Sequence, residues 1–439
     1  MLVEAPVVEG DRVSTAVHSD DGISRQVSYT LSVEPPEHPE DAYLAAALMP
    51  AMALREPLRM ELPISERLLS TVPAIQDILA AWAHHAEVER GTTPAYERVP
   101  VQATPRRPAR ASQSGAAASF FTAGVDSFYT ALKHRDELTS LIYVHGFDVP
   151  LDAPELRALV GEGVRQAAAE LGLPLIEVET DVRSFSERCL YWEDFHGSAL
   201  ASVALLLSSR FSRVYVPATM TYAMLNPLGS HPLLDPLWST ENMELVHDGC
   251  EATRRHKLRV LADCEPARRW LRVCWENRGG AYNCGQCEKC LRTQAELRLL
   301  GLSQAFASLP EIALSDLEQV AIRFGGAPWR AALRAAEAGG NDPELADVIR
   351  GALRRHRLNG APGPDVPSNA ATSPRLVDDL ELLATAAATV AERDRLATRV
   401  REVEGTLEAI RGSRAWRTAT RLRRIRAAAI EQVLEMLRR

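Results

Sequence analysis

The chain has few lysines, few cysteines and no long hydrophobic run. Only three of its 50 basic residues are lysine: Lys133, Lys257 and Lys289. The longest nearly apolar stretch, residues 197–207, is far shorter than the roughly 20 residues that a transmembrane helix needs, so no membrane span is predicted. The N-terminus carries acidic residues where a secretory signal would carry a basic region, and we therefore expect a cytoplasmic protein.

The remaining composition is that of a globular protein. Its 439 residues are 46% hydrophobic and 25% charged, which excludes collagen-like and wholly disordered chains. The net charge is −8 although residues 412–439 are strongly basic, so the preceding part is distinctly acidic. Nucleic acid is therefore not an expected partner of the main body, whereas the basic end could contact an anionic surface or remain a solvated helix end.

Pattern changes along the chain predict its organisation. Strands alternate with helices over residues 117–300, which is typical of an α/β fold with a parallel sheet. The predicted elements include helices over residues 154–171 and 198–211 and a strand over residues 213–217. Ligands of such folds bind beyond the carboxyl ends of the strands. The other predicted segments are a small α+β domain (1–103), a linker (104–116), a helical extension (301–357), a second linker (358–375) and a helical tail (376–439). Apolar spacing over residues 376–410 favours either a coiled coil used for self-association or a surface helical hairpin.

A run of small residues separates the first predicted strand of this region from its first helix. Small residues allow tight turning, so that successive amide groups and the helix N-terminus can converge on a phosphate. The alternative is a glycine turn with an Asp/Ser helix cap and no ligand. The candidate phosphate-binding residues are Thr122, Ala123, Gly124, Val125, Asp126 and Ser127.

Four of the seven cysteines form a C-x9-C-x2-C-x2-C cluster. They are Cys274, Cys284, Cys287 and Cys290. This spacing predicts a closed tetrahedral zinc site, and a closed site implies a structural rather than a catalytic Zn²⁺. An iron–sulfur cluster or unrelated buried thiols are the alternatives.

The phosphate loop resembles the SGGxDS signature of the PP-loop ATP pyrophosphatases. Thr122 stands at the Ser position and Ala123 at the first Gly position, while Gly124, Asp126 and Ser127 match. Followed by the cysteine cluster, the loop resembles the 7-cyano-7-deazaguanine synthase family over residues 117–300. The resemblance implies a PP-loop domain of the adenine nucleotide alpha hydrolase (HUP) type that uses ATP and Mg²⁺ and holds structural Zn²⁺.

The resemblance also implies a reaction. Family enzymes adenylate a carboxylate, release pyrophosphate and let ammonia displace AMP. In the segment GSHPLLDPLWST, His231 stands where the family has Tyr, which predicts a different substrate. His231 is the candidate general base, with His196 a second histidine of either catalytic or structural role. Arg183 and Lys257 are candidates for binding phosphate or carboxylate, or for a solvated face.

The sequence therefore predicts an AMP- and pyrophosphate-forming enzyme that activates a small carboxylate or amide for attack by ammonia or an amine. One alternative is a PP-loop sulfur transferase acting on a nucleobase, for which Cys189 is the candidate thiol. The other is a non-catalytic nucleotide-binding adaptor that uses the helical tail.

Overall fold

A computed structural model describes residues 1–90, 95–107, 115–322, 326–339 and 342–358, and Met1–Ala361 form one compact unit. The strands in the described part are β1 (Leu2–Val3), β2 (Val7–Glu9), β3 (Arg12–His18), β4 (Ser24–Leu31), β5 (Leu58–Met60), β6 (Ile64–Ser65), β7 (Val101–Gln102), β8 (Pro105–Arg106), β9 (Ala117–Phe120), β10 (Leu138–His145), β11 (Leu175–Thr180), β12 (Arg213–Pro217) and β13 (Glu244–Asp248). The helices are α1 (Glu40–Leu54), α2 (Glu66–Arg90), α3 (Val125–Lys133), α4 (Pro154–Leu171), α5 (Val182–Ser186), α6 (Trp192–Leu206), α7 (Arg254–Ala262), α8 (Glu265–Trp270), α9 (Glu288–Leu299), α10 (Leu314–Glu318), α11 (Ala327–Gly339) and α12 (Pro343–Leu358).

The chain is α/β with a mostly parallel central sheet, as the sequence predicts. The strand order is β13-β12-β9-β10-β11-β4-β3-β1-β5-β7, with β2 paired to β3. The first five of these strands are mutually parallel. Their order reverses between β9 and β12, because the chain places β10 and β11 on one side of β9 and β12 and β13 on the other. Such a switch point opens a crevice at the carboxyl ends of the strands, where ligands of α/β proteins bind.

Helices cover both faces of the parallel strands. Alternate residues of β9 point to opposite sides: Ala118 and Phe120 join a core that includes α1 and α6, and Ala117 joins the core under α3, α4 and α7. The helix α6 is almost wholly buried because it lies between α1 and the sheet. Helices α9 to α12 form a third, smaller core.

The N-terminal segment is α+β, and its strands extend the central sheet. β4 pairs antiparallel with β11, so residues before the predicted boundary at 103 continue the sheet of residues 117–300. The predicted linker over 104–116 begins with β8, which pairs with β6. The residues 108–114 of that linker lie outside the described part, as do residues 359–439 with the second linker and the predicted coiled coil.

No helix of the described part is both long enough and apolar enough to cross a bilayer.

Candidate functional site

The candidate phosphate loop lies at the switch point, between the end of β9 and the start of α3. Gly124 is the N-cap of α3. The Ser127 hydroxyl accepts the backbone N–H of Gly124 (2.9 Å) and that of Thr122 (3.3 Å), and it donates to the Gly124 carbonyl (3.1 Å). Ser127 therefore closes the turn, and its hydroxyl is engaged with the loop itself. The Val125 side chain is buried in the core, so only its backbone can face a ligand.

Ala123 adopts a left-handed backbone conformation, with φ of +54°. Glycine is the residue that tolerates this region without strain, so alanine here costs on the order of 1–2 kcal/mol. Two contacts hold the strained residue in place. Its methyl group is fully buried, and its carbonyl accepts the backbone N–H of Arg272 (2.8 Å). The loop thus keeps the conformation of a glycine position despite the substitution.

Asp126 and Lys257 form an ion pair beside the loop. Lys257 Nζ donates to Asp126 Oδ1 (2.8 Å) and to the carbonyl of Ala218 at the end of β12 (2.6 Å). The Lys257 side chain is 1% exposed. Burial alone raises the pKa of Asp126, but the charges of Lys257, Arg254 and Lys289 outweigh it and hold the pKa below its ordinary value. Asp126 follows β9 through the loop, and Ala218 directly follows β12. Lys257 therefore links the segments that leave the two strands flanking the switch point.

Three further cations interact electrostatically with Asp126. Arg254 Nη1 lies 3.9 Å from Asp126 Oδ2, and Lys289 and Arg292 come from the start of α9. Within the described residues, neither of these two α9 side chains has a carboxylate within ion-pair distance. The Nε atoms of Arg254 and Arg292 are buried without a hydrogen-bond partner. We call Arg254, Lys257, Lys289 and Arg292 the cation cluster.

Two members of the cation cluster have partners: Lys257 pairs with Asp126, and Arg254 Nη2 donates to Thr293 Oγ1 (3.0 Å). Lys289 and Arg292 lack an ion-pair partner among the described residues. Burial and the charge of Arg254 lower the pKa of Lys289, and the same two causes lower the pKa of Arg292 to about 10. Nearby Glu288 and Glu296 accept hydrogen bonds from Trp329 (3.0 Å) and Arg255 (2.7 Å). Mutual repulsion of cations at a strand-end crevice is relieved by a multivalent anion, and phosphate groups are the usual one.

The four cysteines converge as the sequence predicts. Their sulfur atoms lie within 4.8 Å of one another, and Cys274 Sγ is 3.9 Å from Cys287 Sγ. A tetrahedron with zinc–sulfur bonds of about 2.3 Å has edges of about 3.8 Å, so the donor set fits a zinc ion. The backbone N–H groups of Cys287 and Cys290 donate to Cys284 Sγ (3.3 Å) and Cys287 Sγ (3.4 Å). Such N–H···S bonds stabilise thiolate ligands.

Surrounding residues fix the conformation of residues 274–290, which we call the knuckle. Gly285 has φ of +69°, and a Cβ there would lie 2.8 Å from Pro310, so glycine is required. The buried Asn283 side chain accepts the N–H groups of Val273 (2.9 Å) and Cys274 (3.2 Å). Its amide nitrogen donates to the carbonyls of Leu271 and Ser308, both at 2.9 Å. The side-chain oxygen of Asn283 therefore accepts two hydrogen bonds and its nitrogen donates two.

The four-cysteine group and the candidate phosphate loop are connected through the backbone and through α9. Cys287 is the N-cap of α9, the helix that carries Lys289 and Arg292. Arg272, two residues before Cys274, donates its N–H to Ala123, and its side chain binds the Tyr282 carbonyl (2.6 Å). The knuckle therefore positions cations on one side and supports the strained loop on the other.

The contacts that Arg183 and His231 make in the described part of the chain are with residues outside the cation cluster. Arg183 donates to Glu187 (2.7 Å) and to the Phe147 carbonyl, and stacks over Trp192. His231 is 6% exposed, packs edge-on against Trp82, and accepts the N–H of Leu233 at Nδ1 (3.1 Å). Its Nε2 therefore carries the proton, which makes it a donor rather than a base.

Sequence reasoning missed Lys289 and Arg292 as site residues, although Lys289 stands inside the cysteine motif and Arg292 two residues after it. The rarity of lysine was the available signal, since a chain that uses arginine almost throughout retains two of its three lysines in this cluster. The third, Lys133, binds Asp248 and Glu251, both at 2.7 Å.

Comparisons with known proteins add no relative. No protein-family model matches the chain, and no curated protein matches its sequence. What bears on function is therefore the geometry of the site: a candidate phosphate loop at a switch point, a cation cluster beside it and a four-cysteine group able to hold a metal ion such as zinc.

Proposed function

We propose that the chain is an ATP-dependent enzyme of the PP-loop type that activates a carboxylate or amide by adenylation, with release of pyrophosphate and then AMP. The observation that carries this proposal is the cation cluster beside Asp126 at the N-terminus of α3. Four cations that act on the single carboxylate of Asp126 leave an excess of positive charge, which suits a polyphosphate.

The chemistry follows from where charge develops. Transfer of AMP to a carboxylate oxygen leaves pyrophosphate carrying extra negative charge. Fixed cations and free backbone N–H groups at a helix N-terminus stabilise that charge without reorganising. Mg²⁺ is expected to arrive with ATP, and Asp126 is the carboxylate of the loop that could bind it. The metal held by Cys274, Cys284, Cys287 and Cys290 would be structural, because four thiolates leave no open position.

The sulfur-transfer alternative is less well supported by the thiol in question. Burial raises the pKa of Cys189 to about 11, and its Sγ lies against the Ser186 carbonyl at 3.5 Å. A thiol that stays protonated near pH 7 is a poor nucleophile and a poor sulfur carrier.

The direct test is AMP and pyrophosphate release from Mg·ATP, with ammonium and a pool of small carboxylates, comparing the native chain with Asp126→Ala. We expect carboxylate-dependent AMP from the native chain and at least about a hundredfold less from the variant, since the loop carboxylate helps to position the phosphates. Formation of ADP, or ATP binding without turnover, contradicts adenylation and favours the adaptor.

Arg292→Gln tests whether the cation cluster binds the phosphates. Because Arg292 Nε is buried without a hydrogen-bond partner among the described residues, and burial and Arg254 both disfavour the charge, its loss is expected to leave stability unchanged or slightly higher. Its loss is expected to weaken ATP binding by roughly tenfold to a hundredfold, the effect of one charged hydrogen bond. Calorimetric titration and thermal unfolding give the two values.

The matched control for Arg292→Gln is Arg255→Gln. Arg255 lies on α7 and is ion-paired with Glu296 of α9 at 2.7 Å, so it already has an anionic partner. We expect a small loss of stability and unchanged ATP affinity. Equal loss of affinity in both variants would mean that general charge, rather than the cation cluster, attracts ATP.

A further inference from the structure

The N-terminus of α6 lies at the same edge of the sheet as the candidate phosphate loop. α6 leads into β12, and a helix that connects parallel strands runs back from their carboxyl ends, so its N-terminus lies at the edge that holds the phosphate loop. The segment after β12 packs closely against the first turns of α6. Gly229 donates its N–H to the Glu193 carbonyl (2.9 Å), and a Cβ on Gly197 would lie 1.8 Å from the Gly229 oxygen.

His196 occupies the second turn of this helix in a defined tautomer. Its Nδ1 lies 2.9 Å from the same Glu193 carbonyl. A carbonyl oxygen only accepts hydrogen bonds, so Nδ1 carries the proton and Nε2 keeps a free lone pair. This is the opposite of His231, whose Nδ1 accepts a backbone N–H. Of the two histidines that the sequence offers as a base, only His196 has its Nε2 in the basic form.

The surroundings keep His196 neutral but ready to accept a proton. Burial lowers the pKa of His196 below its ordinary value, and the N-terminal end of a helix acts in the same direction. Asp235, from the segment after β12, and Asp148, from the segment after β10, oppose this shift, as do the carbonyls of Glu193 and Trp192. Asp148 also acts on Lys289, which places His196 and the cation cluster within the electrostatic reach of one carboxylate.

We propose that His196 Nε2 accepts the proton of the ammonia or amine that attacks the activated substrate. This inference rests on the proposed function. In the step, nitrogen forms a bond to the acyl carbon, the bond from that carbon to the AMP oxygen breaks, and AMP leaves with the electron pair. The proton lost by nitrogen goes to Nε2, and the nearby carboxylates of Asp235 and Asp148 stabilise the imidazolium that results.

The first test reads the tautomer and does not require a substrate. Full-length chain labelled with ¹⁵N-histidine is compared with the His196→Gln variant, which identifies the His196 signals. We expect a protonated Nδ1 and an unprotonated Nε2 at pH 7. An Nε2–H tautomer, or an imidazolium at pH 7, overturns the proposal, whichever substrate the chain uses.

The second test separates the two half-reactions in His196→Gln, with the carboxylate that supports AMP release by the native chain. Carboxylate-dependent exchange of labelled pyrophosphate into ATP is expected to stay within about twofold, while ammonium-dependent AMP turnover falls on the order of a hundredfold. Ammonium-dependent turnover by the native chain is expected to rise with pH, with a midpoint below the ordinary histidine pKa. His196→Gln is expected to lose this rise. The half-buried His18, whose side chain pairs with Glu4 (2.8 Å), provides the control His18→Gln.

Outcomes distinguish the two proposals. A chain that releases no AMP with any carboxylate contradicts the proposed function, and the role of His196 falls with it. A chain that releases AMP while His196→Gln retains ammonium-dependent turnover, or loses both half-reactions equally, contradicts the role of His196 alone.

Discussion

Changing Cys287 to Ser is expected to abolish metal binding and, with it, ATP binding, although Cys287 contacts no phosphate. The physical reason is the double connection of the knuckle. Cys287 caps α9, which carries Lys289 and Arg292, and the segment before Cys274 holds Ala123 in its strained conformation. Metal binding at such sites stabilises the local fold directly, with apparent free energies of about 10–16 kcal/mol in small zinc domains.

The measurements are the metal content, the thermal midpoint and the Kd for ATP. We expect about one zinc per native chain, none in Cys287→Ser, and a midpoint lower by at least roughly 10 °C, since each of those kcal/mol moves the midpoint of a unit the size of Met1–Ala361 by about 1–2 °C. Cys189→Ser is the matched control, because that thiol lies outside the metal-binding group. Retained ATP affinity after complete metal loss would refute the coupling.

Local features of the parallel-sheet region could be predicted from the sequence. Pro154 at the start of α4 and Gly172, with φ of +72°, at its end are standard helix boundaries, and the helix is found over Pro154–Leu171 as predicted. The strand Arg213–Pro217 is also confirmed. The cysteine spacing was sufficient to predict four converging sulfur atoms. Each of these signals is contained in fewer than about 20 neighbouring residues.

Long-range features could not be predicted in the same way. α6 begins at Trp192 rather than at residue 198, and Glu193 and Asp194 in its first turn were the missed signal for that start. Pairing of β4 with β11 depends on contacts between residues about 150 positions apart, for which a single sequence carries no local pattern. The same holds for Lys289 and Arg292 approaching Asp126, because their positions are set by the knuckle and by the packing of α9.

Lys257→Met is expected to destabilise the chain by about 3–5 kcal/mol, the usual result of removing one partner of a buried ion pair. The change leaves Asp126 without its closest cation and the Ala218 carbonyl without its donor. Methionine matches the length and volume of lysine, so packing changes little. Urea unfolding gives the free energies.

The double variant Asp126→Asn/Lys257→Met separates stability from function. Removing both charges takes away the unpaired carboxylate, so the double variant is expected to recover roughly 1–3 kcal/mol relative to Lys257→Met, the range of coupling between contacting residues. AMP release should not recover, because the double variant lacks both the loop carboxylate and the cation that pairs with it. Additive stability effects would show that the 2.8 Å pair contributes no coupling energy. Recovery of AMP release together with stability would show that Asp126 and Lys257 both act only in folding, and would contradict the role of Asp126 in the reaction.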